Sequence, residues 1–387
     1  MPLFLTDEQK TLKETVRRFT KEEIIPVRAE LDEKEEYPEK IINKLVKELL
    51  LACPFIPEEY GGAGLGIFEA ALIAEELSRG CLGVTTAYSV SGLGIYPVML
   101  AGTEDQKQKY LRSIASGEKT AAFALTEASA GSDVTNIKTT ADKKGDKYIL
   151  NGVKQWITSA SRADIYTVFA LTDKSKGMRG ISCFVVEKGA EGLSFGAKEK
   201  KLGIRCSETR EVIFENCEVP EENLIGKEGH GFRYVIETFN HSRAVVAAGA
   251  VGLAQGAYEI AMKYSTERIQ FDNPISSQQI VQHKLVDMAT TIEAGRHLAY
   301  MAARMIDMKH PAHAKYSAMA KAYCGENAFL VADAALQILG GYGYMRDFPV
   351  EKMMRDARIL SIYEGTTEIQ KNAVFRDLLK EIKSRKI

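Results

Sequence analysis

The segment Tyr363-Glu364-Gly365-Thr366-Thr367-Glu368 places a carboxylate directly before a glycine turn, close to the end of a chain of 387 residues. A second segment, Gln155-Trp156-Ile157-Thr158, sets the only indole of the sequence beside a hydroxyl group. Read separately, each has a simpler interpretation, because a Glu before Gly-Thr often begins a helix and a lone Trp is usually core. A carboxylate held against apolar surface is desolvated, so its pKa rises and it can remove a proton from a substrate. A flat ring beside Trp156, hydrogen-bonded by Thr158, would describe a flavin, and the two segments together predict a dehydrogenation.

Charge and apolar runs argue against several classes of protein. The 51 Lys and Arg residues balance the 52 Asp and Glu residues, and the formal net charge of −1 gives no field that would attract nucleic acid or an anionic membrane. The start, Met1 to Asp7, lacks the basic and apolar regions of a secretory signal. The longest apolar run, Ala244 to Ala254, is too short to cross a bilayer. We therefore expect a cytoplasmic protein with no membrane or nucleic-acid partner.

Absent motifs narrow the chemistry further. The six cysteines contain no C-x-x-C pair, which favours buried reduced thiols over zinc or disulfides. The pair His310-Pro311-Ala312-His313 is better interpreted as a helix start than as a metal site. No G-x-G-x-x-G after a strand and no P-loop occurs, so a dinucleotide would have to bind by another route. We expect no metal.

The hydrophobic pattern predicts an α+β protein of three domains. Residues 1–117 have helical spacing and begin with a capping box, Thr6 to Gln9. Residues 118–225 carry short β-rich runs, with hairpin turns expected at Lys144-Gly145-Asp146 and Asn151-Gly152, and predict a small barrel-like β domain. Residues 226–387 return to helical spacing. Apolar or small residues recur there at alternating steps of four and three, as in the seam of an antiparallel bundle: Val281, Leu285, Met288, Ile292, Gly295, Ala299, Ala302 and Ile306.

This order of domains, with Tyr-Glu-Gly-Thr near the C-terminus, resembles the acyl-CoA dehydrogenases over essentially the whole length. Any one motif is weak, but six in the family's order are specific. They are Glu58-Glu59-Tyr60-Gly61-Gly62, Phe123-Ala124-Leu125-Thr126-Glu127 running into Ala130-Gly131-Ser132-Asp133, Trp156-Ile157-Thr158, Arg268 with Phe271, Ile338-Leu339-Gly340-Gly341-Tyr342-Gly343, and Ile362-Tyr363-Glu364-Gly365-Thr366.

The resemblance implies an activity and a mechanism. FAD would lie between the β domain and the C-terminal bundle, with the acyl-CoA thioester between flavin and base. Glu364 matches the base that removes the α-proton while the β-hydrogen leaves as hydride to flavin N5. The Glu364 N–H and a ribityl hydroxyl would hold the thioester carbonyl and stabilise the developing enolate. Electrons would pass to an electron-transfer flavoprotein, and the family suggests a homotetramer, a dimer of dimers.

The family's binding residues carry over by position. Those that line the flavin match Phe123, Leu125, Thr126, Trp156 and Thr158. Cofactor contacts following the base match Thr366 and Glu368. Those reaching the adenosine half and pyrophosphate of a neighbouring subunit's FAD match Arg268, Phe271, Gln279, Gln337 and Gly341. Ser132 matches a position where cofactor and CoA approach each other, and the other substrate-side positions match Asn240, Arg243, Tyr363, Gly365 and Ser89.

Three positions depart from the family pattern. Asp272 follows Phe271 where Gly is usual, Gln278-Gln279 replaces Phe-Gln, and Ala128-Ser129 replaces Pro-Gly in the flavin loop. Some family members place the base at the position of Ser242 instead. A serine cannot serve as that base, which leaves Glu364.

Substrate and direction stay open. The positions expected to line the cavity floor are Thr85, Thr86, Tyr88, Ser89 and Ser91, which include no arginine or carboxylate to pair with a dicarboxylic substrate. Short to medium, branched and cyclic acyl groups all remain. The alternatives are an enoyl-CoA reductase working with a bifurcating flavoprotein, an oxygen-using oxidase or flavin monooxygenase on the same scaffold, and a helical binding protein without catalysis.

Overall fold

The computed structural model describes residues 5–384. Its N-terminal region is helical, with two of the helices continued by a π-helical turn. The helices are α1 (Asp7–Phe19), α2 (Arg28–Glu33), α3 (Glu39–Asn43), α4 (Ile67–Gly80), α5 (Leu82–Ala101) and α6 (Glu104–Ala115). Capping boxes start α1 and α6: Thr6 and Gln9 exchange hydrogen bonds at the first, and Thr103 and Gln106 at the second. The first of these was predicted from sequence.

A seven-stranded, mostly antiparallel sheet follows. Its strands are β1 (Ala121–Ala124), β2 (Thr140–Lys144), β3 (Lys147–Thr158), β4 (Ile165–Leu171), β5 (Ile181–Glu187), β6 (Leu193–Phe195) and β7 (Thr209–Pro220). The order is β1-β4-β2-β3-β7-β6, with β5 paired to β4, and β4 runs parallel to β1 and β2. The predicted divisions at 117/118 and 225/226 fall in the connections on either side of this sheet.

One of the two predicted hairpin turns is wrong. Gly145-Asp146 does join β2 to β3, but Asn151-Gly152 lies inside β3, where the pairing with β7 slips between Leu150 and Gly152. A glycine is needed because its φ is +149° and a Cβ atom would come within 2.4 Å of Thr139 Oγ1. The Asn-Gly pair therefore marks a bulge, where backbone elements approach closely, and not a chain reversal.

The C-terminal region is a helical bundle with a short hairpin. Its elements are α7 (Gly231–Glu267), β8 (Ile269–Gln270), β9 (Asn273–Pro274), α8 (Gln279–Asp307), α9 (His313–Leu339), α10 (Gly341–Tyr344), α11 (Val350–Ala357) and α12 (Thr367–Ser384). The predicted seam lies along α8, which buries all its members except the half-buried Val281. Helix α7 packs against α4 so closely that a Cβ atom on Gly252 would lie 1.9 Å from the Glu75 carbonyl oxygen.

In the part of the chain that the structure describes, two helices are long and apolar enough to cross a bilayer, α5 and α7. In their most apolar windows 67% and 61% of the residues are buried inside the protein. The run Ala244 to Ala254, which looked too short to span, is thus part of a longer apolar helix. Contacts of α7 with α4 and α9 account for its composition, as in the core helix of a bundle.

The hairpin between α7 and α8 explains the departure at Asp272. Phe271 and Asp272 both have positive φ, +52° and +62°, between the paired strands β8 and β9. Two successive left-handed residues are what a two-residue type I′ hairpin requires, and Asp tolerates this conformation better than most residues. Asp272 therefore supports the same kind of tight turn that a glycine allows.

The six cysteines are buried and unpaired, as expected. His310 and His313 lie at the start of α9, and within residues 5–384 no group of three His, Cys, Asp or Glu side chains is arranged to hold a metal ion.

Candidate active site

A cavity of about 220 Å³ lies between α5, α7, the edge of the β domain and the segment before α12. It brings together side chains that lie far apart in the sequence. The predicted site residues on its wall are Ser89, Phe123, Leu125, Thr126, Trp156, Thr158, Tyr363 and Glu364. Both segments that opened the sequence analysis thus face the same space.

Among residues 5–384, Glu364 is the only Asp or Glu on the cavity wall. Its backbone is left-handed, with a φ of +52°, and Gly365 follows at +93°. The Ser242 hydroxyl donates to Glu364 Oε2 at 2.6 Å. The carboxyl group keeps some exposure through the cavity, but burial by the surrounding protein raises its pKa, opposed by the Ser242 hydrogen bond and by the charges of Arg243 and Lys321. A carboxylate in this setting is suited to accept a proton near neutral pH.

Three donors hold the turn that carries this carboxylate. Gln370 Nε2 donates to the carbonyl oxygens of Glu364 and Gly365 at 3.0 and 3.3 Å. Arg243 Nε donates to the Glu364 carbonyl at 3.4 Å, and Lys321 Nζ to that of Gly365. Within residues 5–384 the Glu364 N–H donates to no protein acceptor, so it is available to a ligand.

The β domain contributes aromatic side chains to the wall of the same cavity, Phe123 and Trp156. Trp156 is 57% exposed and has a φ of +56°, where β3 bulges between Lys154 and Ile157. The neighbouring Gln155 N–H donates to the Thr126 carbonyl at 2.7 Å and joins the two segments that are expected to line a flavin. An indole left exposed on a strained backbone is costly, and such outliers cluster where a ligand is bound.

A buried ion pair supports this wall from behind. Lys154 Nζ lies 2.7 Å from Glu127 Oε1 and donates to the Leu125 carbonyl at 3.1 Å. Burial lowers the pKa of Lys154 to about 8, against the opposing effect of Glu127. Glu127 also accepts from the backbone N–H and the hydroxyl of Thr139, so its carboxylate fixes the segment after β1 that carries Leu125 and Thr126.

Sequence models of three domains match consecutive parts of the chain: the acyl-CoA dehydrogenase N-terminal domain over residues 6–118, the middle domain over 122–217 and the C-terminal domain over 229–379. The chain belongs to the acyl-CoA dehydrogenase family. The three-domain fold predicted from sequence is that of this family and is confirmed.

Similar proteins include enzymes named for opposite directions of reaction. An acyl-CoA dehydrogenase of Bacillus subtilis (strain 168) is 44% identical over 378 residues, which are 97% of this chain and 99% of that protein. An acryloyl-CoA reductase (NADH) of Anaerotignum propionicum is 43% identical over 382 residues, 98% and 96% of the two chains. The structure of butyryl-CoA dehydrogenase from Megasphaera elsdenii has a TM-score of 0.94 at 40% identity and covers 97% of this chain and 99% of that one.

Acyl-CoA dehydrogenases are FAD enzymes, and the residues of this chain fit the cofactor. The exposed Trp156 ring, with Thr126 and Thr158 on the same cavity wall, provides a flat apolar surface edged by hydroxyl groups. A second, open depression contains Arg268 and Gly341 beside two tyrosine rings, with the Arg268 guanidinium 5.7 Å from the centre of the Tyr342 ring. The paired N–H donors of an arginine can bind the oxygens of a pyrophosphate, and aromatic rings beside it can stack on the adenine ring of FAD.

Of the remaining expected cofactor residues, Thr366 is half-buried beside the turn of Glu364, and the other five are on the surface. Phe271 is 87% exposed, and Gln279, Gln337, Ser132 and Glu368 are exposed too. None of the five lines the catalytic cavity or the depression around Arg268. Surface positions of this kind are compatible with an FAD held between subunits.

Two expected substrate residues, Arg243 and Asn240, lie in the interior near Glu364. Arg243 is 8% exposed, and its guanidinium donates to the backbone carbonyl of Glu364 and to Asn240 Oδ1. Asn240 is buried, and its carbonyl accepts from Ser317. In this structure both support the turn that carries Glu364. Gly365 lies in the same turn, where a Cβ atom would come within 2.3 Å of Gln370 Nε2.

The cavity floor differs from expectation at one position. Thr85, Thr86, Tyr88 and Ser89 line the cavity, but Ser91 does not, because its hydroxyl accepts the Ala121 N–H at 3.2 Å on the other side of α5. A helix rotates by about 100° per residue, so Ser89 and Ser91 cannot share a face.

Sequence reasoning missed four side chains near the base: Ser242 as its hydrogen-bond donor, His241 on the cavity wall, and Lys321 and Gln370 behind the turn. His241 Nδ1 is bonded to the Glu237 carbonyl, its ring packs on Tyr96 at 4.8 Å, and burial lowers its pKa. Only Ser242 left a signal, since family members that place the base at its position imply that it lies close to the substrate.

Proposed function

We propose that this chain oxidises an acyl-CoA thioester to the 2-enoyl-CoA, with Glu364 as the base and FAD as the hydride acceptor. One observation carries the proposal: the Glu364 carboxyl, with a raised pKa and a Ser242 partner, faces the same cavity as Trp156 and Thr158. With a base and a flavin surface on one cavity, the α and β carbons of a substrate bound there would be within reach of both.

Glu364 removes the α-proton, which is acidified by the thioester carbonyl. Bound FAD supplies the acceptor for the β-hydride. Positioned bases contribute roughly 10² to 10⁴ in rate. The free Glu364 N–H would donate to the thioester oxygen as negative charge develops there, and a donor of this kind is typically worth about 3 to 4 kcal/mol. Phe123, packed on Phe169 and Phe239, helps to exclude water from the same wall.

The lining of the cavity supports a neutral acyl group. Within the described residues its wall carries no Lys or Arg, and the hydroxyls of Thr85, Thr86 and Tyr88 are bonded to backbone carbonyls. Their apolar faces are therefore left for the substrate, and a second carboxylate would be buried without a cation. We propose a short to medium, branched or cyclic chain, with butyryl-CoA as the first candidate because of the similar Megasphaera enzyme.

The cofactor and partners follow the family. We propose that the flavin ring contacts Phe123, Leu125, Thr126, Trp156 and Thr158, with Thr366 and Glu368 following the base. Arg268, Phe271, Gln279, Gln337 and Gly341 would reach the adenosine half of an FAD shared with a neighbouring subunit of a homotetramer. Ser132 would lie where CoA meets the cofactor, and an electron-transfer flavoprotein would remove the electrons.

The second candidate is the reverse reaction, reduction of a 2-enoyl-CoA. It is favoured by the 43% identity to an acryloyl-CoA reductase over nearly the whole chain. The same base, protonated at the start, would then deliver the α-proton. The geometry of the site does not distinguish oxidation from reduction, since both reactions transfer one proton and one hydride in the same cavity.

An anaerobic panel of acyl-CoA thioesters tests the function. The purified flavoprotein should lose its oxidised flavin absorbance with at least one saturated acyl-CoA, and Glu364→Gln should not. Absence of bleaching by every saturated thioester, with reoxidation of chemically reduced enzyme by an enoyl-CoA, would support the reductase instead. Rapid peroxide formation by the reduced enzyme would identify an oxidase.

A further inference from the structure

The turn that carries Glu364 has an unfavourable backbone. A left-handed Glu costs about 1 to 2 kcal/mol relative to its relaxed conformation, so the turn persists only if other groups hold it. Its two carbonyl oxygens, those of Glu364 and Gly365, point into the protein and need donors. The donors come from three helices: Arg243 on α7, Lys321 on α9 and Gln370 on α12.

Lys321 is an unusual donor for this purpose. It lies in the apolar stretch Ala318-Met319-Ala320-Lys321-Ala322, and only 1% of the residue is exposed. Burial lowers its pKa to about 8, an effect opposed mainly by the Glu364 carboxylate. A buried lysine is expensive, and one whose nearest carboxylate is a catalytic base is a candidate for a functional role.

Gln370 is fully buried and bridges both carbonyls with one amide nitrogen. The contact is close enough that Gly365 cannot carry a side chain, because a Cβ atom would come within 2.3 Å of that nitrogen. The glycine of the Tyr-Glu-Gly-Thr segment is thus required twice: once for its φ of +93°, and once for the space that Gln370 occupies.

We propose that Lys321 and Gln370 are positioning residues for the base: Gln370 fixes the backbone of the turn, and Lys321 fixes it and also stabilises the ionised carboxylate of Glu364. The proposal rests on the proposed function of Glu364. Neither side chain lines the cavity, so both act through the turn and not on the substrate.

The effects of Lys321 and Gln370 should differ, because Lys321 is charged and Gln370 is neutral. The groups that face this site are Arg243 and Ser242 on α7, Lys321 on α9, Glu368 on α12 and Tyr363 beside the base. Removing Lys321 takes away one of the two cations that favour the carboxylate, so the pKa of Glu364 rises. Removing the neutral amide of Gln370 leaves these charges unchanged.

The experiment compares variants in single-turnover flavin reduction between pH 6 and 9, on the FAD-loaded enzyme with its best acyl-CoA. The variants are Lys321→Met, which keeps the length of the side chain, Lys321→Arg, which keeps the charge, and Gln370→Leu. The matched control is Lys315→Met, since Lys315 is a buried lysine on the same helix that pairs with Glu381 and does not touch the turn. FAD content, acyl-CoA affinity and the unfolding temperature are measured for each protein.

We expect Lys321→Met to bind acyl-CoA within about threefold of wild type and to reduce its flavin about tenfold more slowly at low pH. Its rate profile should move upward by about one pH unit, because one pKa unit corresponds to a factor of ten in the ionised fraction. Lys321→Arg should restore the profile, and Gln370→Leu should slow reduction about tenfold at every pH without moving it. A pH titration of the Glu364 carboxyl by infrared difference against Glu364→Gln gives the same shift without turnover.

The possible results distinguish a failure of this inference from a failure of the proposed function. Rates and profiles of Lys321→Met that match Lys315→Met would overturn the assignment of Lys321. If Lys321→Met does not fold, a shifted profile in Lys321→Arg would overturn the assignment of Lys321. A wild-type rate in Gln370→Leu would overturn the assignment of Gln370. A wild-type protein that no acyl-CoA or enoyl-CoA can reduce or reoxidise would instead refute the proposed function, and this inference with it.

Discussion

Replacing Ser242 with alanine tests the electrostatics of the base most directly. The Ser242 hydroxyl donates to Glu364 Oε2 at 2.6 Å, a length typical of a hydrogen bond to an ionised oxygen. This bond favours the carboxylate over the carboxylic acid and opposes the rise in pKa that burial causes. Ser242→Ala removes it without adding volume, so the pKa of Glu364 should rise further.

The size of the effect follows from the bond. A hydrogen bond to a charged group contributes about 1.5 to 3 kcal/mol, and one pKa unit corresponds to about 1.36 kcal/mol. The pKa of Glu364 should therefore increase by about one to two units. Only the ionised base removes a proton, so below both pKa values the rate of flavin reduction should fall about 10- to 100-fold. Above both values the base is fully ionised and the rate should recover.

The assay is anaerobic stopped-flow reduction at saturating acyl-CoA across pH, with Ser265→Ala as the control. Ser265 is buried on the same helix α7, and its hydroxyl bonds only to the Met262 carbonyl of that helix. Coincident pH profiles for Ser242→Ala and wild type would refute the reasoning. A loss that is equal at every pH would show that Ser242 orients the carboxyl group without setting its pKa.

Three further changes test other parts of the site. Glu364→Gln keeps the shape of the side chain but cannot take a proton, so FAD content should persist while the rate of flavin reduction, measured anaerobically, falls by at least about 10³; turnover within tenfold of wild type would contradict the assignment. Arg268→Ala should release FAD and loosen the oligomer together, because a ligand bound only to the assembled state stabilises it; gel filtration and flavin absorbance after dialysis measure this, and full flavin retention would argue against a bridging role. Ser89→Leu adds volume to the cavity wall and should lower kcat/KM about tenfold for the bulkiest accepted acyl-CoA with little effect on butyryl-CoA, whereas an equal loss for all chain lengths would remove Ser89 from the specificity site.

The sequence predicts most of the fold because its signals are local. Helix α8 was read from the spacing of Leu285, Met288 and Ile292, which repeats with the period of a helix whatever its neighbours are. The wrong hairpin turn at Asn151-Gly152 shows the limit of prediction from local sequence. An Asn-Gly pair indicates only that the backbone is unusual there. The residue that approaches Gly152 at the bulge, Thr139, lies in the segment just before β2, and the local sequence does not identify it.

Some residues of the candidate site could be predicted from the sequence, and others could be found only in the structure. Glu364, Trp156 and Thr158 lie in motifs and were found from the sequence, and the structure places them on one cavity. Ser242, Lys321 and Gln370 could not be found this way, because each contacts the turn from a helix of its own and nothing in its local sequence names its partner. Apart from the family comparison at Ser242, the sequence offers only a lysine within an alanine-rich helix, whose role depends on the residues that it contacts.

The turn of Glu364 joins three helices that are distant in the chain, and this has a consequence for how the enzyme loses activity. Because α7, α9 and α12 each supply a donor, the fraying of any one of them would free a carbonyl and release the left-handed backbone. Of the three helices, α12 has the fewest packing partners, because its main neighbour is α9, whereas α7 packs against α4, α8 and α9. Mild heat or denaturant should therefore abolish proton abstraction while most of the bundle is still folded, and hydrogen exchange at the start of α12 should quicken at the same point.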